Sequence, residues 1–153
     1  VNLVAHELTI NSGIAALKQL LTIGDEDVYL GGIRPHILKV GAPAGSLYLE
    51  VRTAADVLIQ ASETVTIASI TAATGTYFHG YVRFAIPITL LKNTSYYVVM
   101  QSTGYTFAES AYIAWCNDFD LRKYSTEYTA NAATAALDME MWEYKLITRG
   151  SYP

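Results

Sequence analysis

Apolar residues recur at every second position in several short runs along the chain, the period of a strand with one buried and one exposed face. From Ser46 to Arg52, Leu47, Leu49 and Val51 fall on one face and Tyr48, Glu50 and Arg52 on the other. From Tyr81 to Ile86, Val82, Phe84 and Ile86 oppose Tyr81, Arg83 and Ala85. Pro87 follows and, lacking an N–H, is expected to end the pairing. The run Tyr96 to Gln101 is apolar on both faces and predicts a central strand, covered on both sides or lying in an oligomer contact. Met139 to Ile147, with Trp142, Tyr144 and Leu146 against Glu143 and Lys145, predicts the closing strand.

Turn formers separate these runs: Gly41 to Gly45 with Pro43, Ala54 to Asp56, Thr71 to Thr76 with Gly75, Lys92 to Ser95, and Thr103 with Gly104. Ser12 to Leu21 reads equally as a short helix or as an extended segment. Ser12 could cap a helix in which Ile14, Leu17 and Leu21 recur at spacings of three and four, while Gly13 weakens it. Ser125 to Leu137, rich in Ala and Thr and nearly uncharged, reads as a long loop. Val1 to Ile10 has no clean inward face and is expected to pair with another chain or lie on a partner's surface.

The pattern predicts an all-β, antiparallel β-sandwich. Residues 1–18 form an N-terminal arm or added strand, and residues 19–153 form one sandwich domain with room for one short helix. Composition supports a packed core, since 52% of the 153 residues are hydrophobic and only 16% are charged. Ten Lys and Arg against fourteen Asp and Glu give a net charge of −4, which disfavours a nucleic-acid partner. No apolar run is long enough to cross a membrane as a helix, and the start lacks the pattern of a signal peptide. A single cysteine, Cys116, cannot close an intrachain disulfide.

The order of pieces carries a resemblance. The run QLLTIG (19–24) is followed by LGGI (30–33), LKVGAP (38–43) and GSLYLEV (45–51). Then come IQASETV (59–65), VRF (82–84) with Leu90 and Asn93, YYVV (96–99) and Trp142. This resembles a jelly-roll-like β-sandwich module found in secreted, surface-anchored and bacteriophage virion proteins, over roughly residues 19–147. The resemblance implies a jelly-roll-like sandwich and one of several binding or structural roles: carbohydrate binding, tail-fibre part, or capsid decoration. It supplies no catalytic motif.

Candidate chemistry is sparse. Asn117, Asp118 and Asp120 offer hard oxygen ligands for calcium on what reads as a loop, and would need help from Gly24 to Asp27 to reach six or more ligands. Turn hydrogen bonding accounts for the same residues without a metal. His6, His36 and His79 lack any paired ligand spacing, and Cys116 after Trp115 reads as a buried strand residue with no base beside it. The strained Gly-x-Ser-x-Gly elbow and a phosphate-cradling glycine loop are both absent from the sequence. Twelve tyrosines stand out, and Tyr48, Tyr81 and Tyr97 at outward positions, with Trp115, are the candidates for contact with a partner protein or a glycan.

These features lead to the expectation of a non-enzymatic virion structural protein that needs no cofactor. It would be a capsid decoration or cement subunit, or a tail accessory, that contacts the major capsid protein or other virion proteins. It would be a closed homo-oligomer, for which a trimer suits local threefold positions. The alternative expectation is a secreted or tail-fibre module that binds a carbohydrate or receptor.

Overall fold

The computed structural model describes residues 7–9, 16–35, 37–70, 82–118, 125–127, 136–137 and 139–143, the backbone alone for 7–9 and from residue 115 onward. Its strands are β1 (Glu7–Thr9), β2 (Leu17–Thr22), β3 (Val28–Pro35), β4 (Ile37–Val40), β5 (Ser46–Thr53), β6 (Leu58–Ala61) and β7 (Val65–Thr66). They continue with β8 (Val82–Leu90), β9 (Ser95–Thr103), β10 (Tyr112–Asp118), β11 (Ser125–Glu127), β12 (Ala136–Leu137) and β13 (Met139–Glu143). Every pairing between them is antiparallel. Among the described residues no long helix occurs, and a 3-10 turn spans Ile67–Ser69. The protein is an all-β sandwich.

One layer is a six-stranded sheet in the order β11-β2-β9-β5-β6, with β7 also on β5. The other contains β13-β3-β8, and β4 pairs with β10, which also carries β1 and β12. Alternation explains the layering. The inward residues Leu17 and Leu21 of β2, Val98 and Met100 of β9, and Leu49 and Val51 of β5 are buried. They join one core with Leu30 and Ile33 of β3 and Phe84 and Leu90 of β8. Each side chain of this size contributes about 1.5–3 kcal/mol on full burial.

Strand β9 is central, as its two-faced apolarity predicts, and both Val98 and Val99 are buried. β5 keeps the expected faces, with Leu47, Leu49 and Val51 inward. The loop between β4 and β5 needs glycine at Gly41 (φ +65°) and Gly45 (φ +100°). Lys39 secures the far side of this region by donating to the carbonyls of Ile67 (3.1 Å) and Ile70 (2.7 Å), which closes the 3-10 turn over the core.

One open reading is decided, for its extended alternative, and several expectations are corrected. Ser12 to Leu21 does not form a helix where it is described: Leu17–Thr22 is strand, with Leu17, Gln19 and Leu21 opposite Met100, Val98 and Tyr96. Leu17 and Leu21 fit both periods, and pairing with the central strand selects period two. β2 thus begins at Leu17, two residues inside the segment 1–18 read as an arm or added strand. Glu7–Thr9, expected to pair with another chain or lie on a partner's surface, pairs with Cys116, Trp115 and Ala114 of the same chain, as an added strand does. Pro87 does not end β8, because a bulge carries it: Leu30 faces Ile88 and Gly32 faces Arg83, so Gly31 alone spans the stretch Phe84 to Pro87. The bulge also turns Ile86, expected inward, out to solvent. Finally, Ser125–Glu127 and Ala136–Leu137 are strands within the expected loop, paired with β2 and β10. The Thr71 to Thr76 turn lies outside the described residues.

Candidate functional site

The outer face of the six-stranded sheet is built by register. Lys18 and Glu50 flank Val99, Leu20 and Arg52 flank Tyr97, and Tyr48 faces Gln101. Tyr48 and Tyr97, expected as exposed contact residues, are half-buried here. A chain of charges lies over them. Glu50, its side chain only 8% exposed, accepts from Arg52 Nε at 2.7 Å and more weakly from Gln101 Nε2 at 3.4 Å. Arg52 Nη1 donates to the Asp56 carbonyl at 3.0 Å, and Lys18 Nζ lies 2.9 Å from Asp56 Oδ2. Lys18 Nζ also stands 5.6 Å from the centre of the Tyr97 ring, within cation–π range. Both carboxylates are thus committed to cations, and the network clasps β2, β5 and the turn after β5 into one rigid face.

The Lys18 hydrogen bond, aided by the charges of Lys18 and Arg52 and opposed by desolvation, holds the Asp56 carboxyl below the usual carboxylate range. A lowered folded-state pKa contributes stability that is present above the ordinary value and is lost as pH falls through the lowered one. Asp56→Asn should therefore cost melting temperature at neutral pH and little once the pH has fallen through the lowered value, where the wild-type carboxylate loses its charge. Thermal melts across that range check this, and a gap that widens in acid would contradict it. Because Asp56 is half exposed, the gap should be small.

A second surface lies where β6, the edge of the six-stranded sheet, approaches β8 of the other layer. At one end, Glu63 N donates to Arg83 O at 2.8 Å and Arg83 N donates to Glu63 Oε1 at 3.1 Å. Further along, the Gln60 amide takes the place of a missing peptide: its Nε2 donates to Ile86 O at 3.0 Å and its Oε1 accepts from Ile86 N at 3.2 Å. The Pro87 bulge creates this gap by swinging Ile86 off the β3 ladder. Apolar residues exposed to solvent adjoin this contact in the chain: Val57 (60% exposed), Leu58 and Ile59 before Gln60, and Ile86 (69%), the partner of Gln60. Ile59 is the extra residue in the pairing of β6 with β5, since Val51 faces Gln60 and Arg52 faces Leu58.

The remaining candidates are not drawn together. Asn117 and Asp118 lie in strand β10, not on a loop, opposite Leu137 and Ala136. Asp120, Tyr81, His6, His36 and His79 lie outside the described residues, as do the side chains of Trp115, Cys116, Asn117 and Asp118. Asp27, of the acidic turn expected to assist them, accepts from Lys92 N at 2.8 Å and joins two turns. Among the described residues no group of three or more His, Cys, Asp or Glu side chains is placed to hold a metal.

Sequence reasoning followed the tyrosines and missed the β6–β8 gap. The signal was the non-alternating run Val57 to Ile59 directly after a turn, in which both strand faces carry large apolar residues at a sheet edge. Comparison of the chain with family models, with curated proteins and with solved structures returned no match.

Proposed function

We propose that this chain is a non-enzymatic structural protein of a virion, a capsid decoration or cement subunit that acts through protein–protein contact. The observation that supports the reading is the gap between β6 and β8, which Val57, Leu58, Ile59 and Ile86 adjoin as exposed apolar residues on a well-packed sandwich. Exposed apolar side chains grouped on an edge strand gain by being covered, at about 25 cal/mol per Å² removed from water. In this role the sandwich sits across junctions between major capsid subunits and adds buried area that resists outward pressure. It works as a symmetric homo-oligomer, a trimer at local threefold positions, without calcium or any other cofactor. The net charge of −4 fits a protein surface better than nucleic acid as the partner.

A carbohydrate-binding role is the second reading, favoured by Tyr48 beside Gln101 and Glu50 on the outer sheet face. Sugar stacking on Tyr97 has to compete with Lys18, which already occupies its ring and is tied to Asp56. That competition places the contact reading first. Light scattering of the purified protein, followed by co-sedimentation with virus-like capsids, tests it. A defined oligomer that saturates capsid sites is the expected result. A monomer that ignores capsids and retains a glycan on an array overturns it in favour of the second reading.

A further inference from the structure

We propose that the gap between β6 and β8 receives an extended segment of a different protein, an apolar run flanked by basic residues, added as a strand beside β6. The inference rests on the contact reading and names its surface and its partner. Three features carry it. β6 is an edge strand whose exposed run Val57, Leu58 and Ile59 contains neither charge nor proline, the usual protections against strand addition. Towards the facing strand, the Gln60 amide bonds Ile86 N and O, and Glu63 bonds Arg83 N and O, groups that the backbone of an incoming strand offers as well. The run is bounded by acids, Asp56 before it and Glu63 after it.

The charges select the occupant. In an antiparallel pairing of two copies that sets Leu58 opposite Ala61, Asp56 meets Glu63 of the second copy at both ends, carboxylate against carboxylate. A segment with Lys or Arg at its ends reverses the sign of both encounters. Asp56 keeps Lys18 and Arg52 as partners, so the Glu63 end makes the stronger demand.

The test uses two synthetic peptides, KVTVTVK and EVTVTVE, with the full chain observed by amide NMR and hydrogen exchange. The basic peptide should slow exchange at Ile59 and Ala61 and bind at least about tenfold tighter than the acidic one, a margin that salt reduces. Ile59→Lys, at an exposed position, should keep the melting temperature and abolish binding. Ile86→Thr, at the Gln60 contact, should weaken it. Equal binding of both peptides overturns the charge argument. A concentration-dependent dimer that Ile59→Lys abolishes shows a second copy as the occupant and also overturns the proposal. Capsid co-sedimentation separates the two readings. If wild type and Ile59→Lys saturate capsids alike, the gap is not the contact although the virion reading stands. If wild type ignores capsids but binds the basic peptide, the gap proposal stands and the virion reading falls.

Discussion

Gly45→Ala is expected to destabilise the protein by about 3–5 kcal/mol, enough to lower its melting temperature by on the order of 10 °C. Two costs combine. Gly45 has φ +100°, a conformation that L side chains rarely adopt, and an alanine there pays about 1–3 kcal/mol for it. A Cβ at this position would also lie 2.7 Å from the carbonyl carbon of Gly104, the carbonyl oxygen of Thr103 and the amide nitrogen of Tyr105. All three are backbone, so no rotamer change relieves the overlap, and the end of β9 must move. That end is coupled to the core, because the Tyr105 hydroxyl accepts from Ile113 N at 3.1 Å and Gly45 O accepts from Ile67 N at 2.9 Å. Gly24→Ala is the control: nothing lies within 4 Å of its Cβ, and it should change stability by less than about 1 kcal/mol. Chemical denaturation of both variants decides the matter, and a Gly45→Ala protein as stable as wild type would mean that the β4–β5 loop is not packed against Gly104 as described.

Arg52→Ala should cost about 2–3 kcal/mol, just below the roughly 3–5 kcal/mol for breaking a fully buried ion pair. The cost comes from what remains. Glu50 stays nearly covered, at 8% side-chain exposure, and retains only the 3.4 Å contact from Gln101. An almost unpaired carboxylate at that depth bears its desolvation cost with no cation to offset it. The partial exposure of Arg52, at 23%, is the reason for expecting less than the full cost. Glu50→Gln should therefore restore stability in the Arg52→Ala background while being harmful or neutral alone. A double-mutant cycle measures the coupling, and additive single effects would show that the pair is merely adjacent.

The contrast between Glu50 and its neighbours shows where sequence reasoning succeeds and where it stops. Alternation assigned Leu47, Leu49 and Val51 to the core correctly, because a strand's period is set by its own backbone. It placed Glu50 on the outer face but could not show that it is covered there, since that depends on Arg52 folding back onto it and on Gln101 of the neighbouring strand. The same limit explains β2. Leu17 and Leu21 are compatible with helix and strand alike, and only Met100 and Tyr96, some 80 residues later in the chain, decide between them. Pro87 misled for a different reason, because its missing donor matters only where a ladder bond is due, and the bulge takes Pro87 out of the β3 ladder while Gln60 pairs its neighbour Ile86. As for the candidate site, the tyrosines drew attention by number, whereas exposure is a property of the assembled sheets. The apolar run from Val57 to Ile59 was legible as a sequence but not as a surface.

The partnership of β2 with β9 also has a consequence during synthesis. Leu17 pairs with Met100 and Thr22 with Ser95, so β2 leaves the ribosome with its sheet partner still to be made. At roughly 5–20 residues per second the delay is about 4–16 s. The β5–β6 hairpin, closed by four residues, can form in this interval, while Leu17, Leu21 and Ile23 have no completed sheet to enter. The nascent chain thus carries an unpaired apolar strand for seconds, an interval in which it is open to association with other chains.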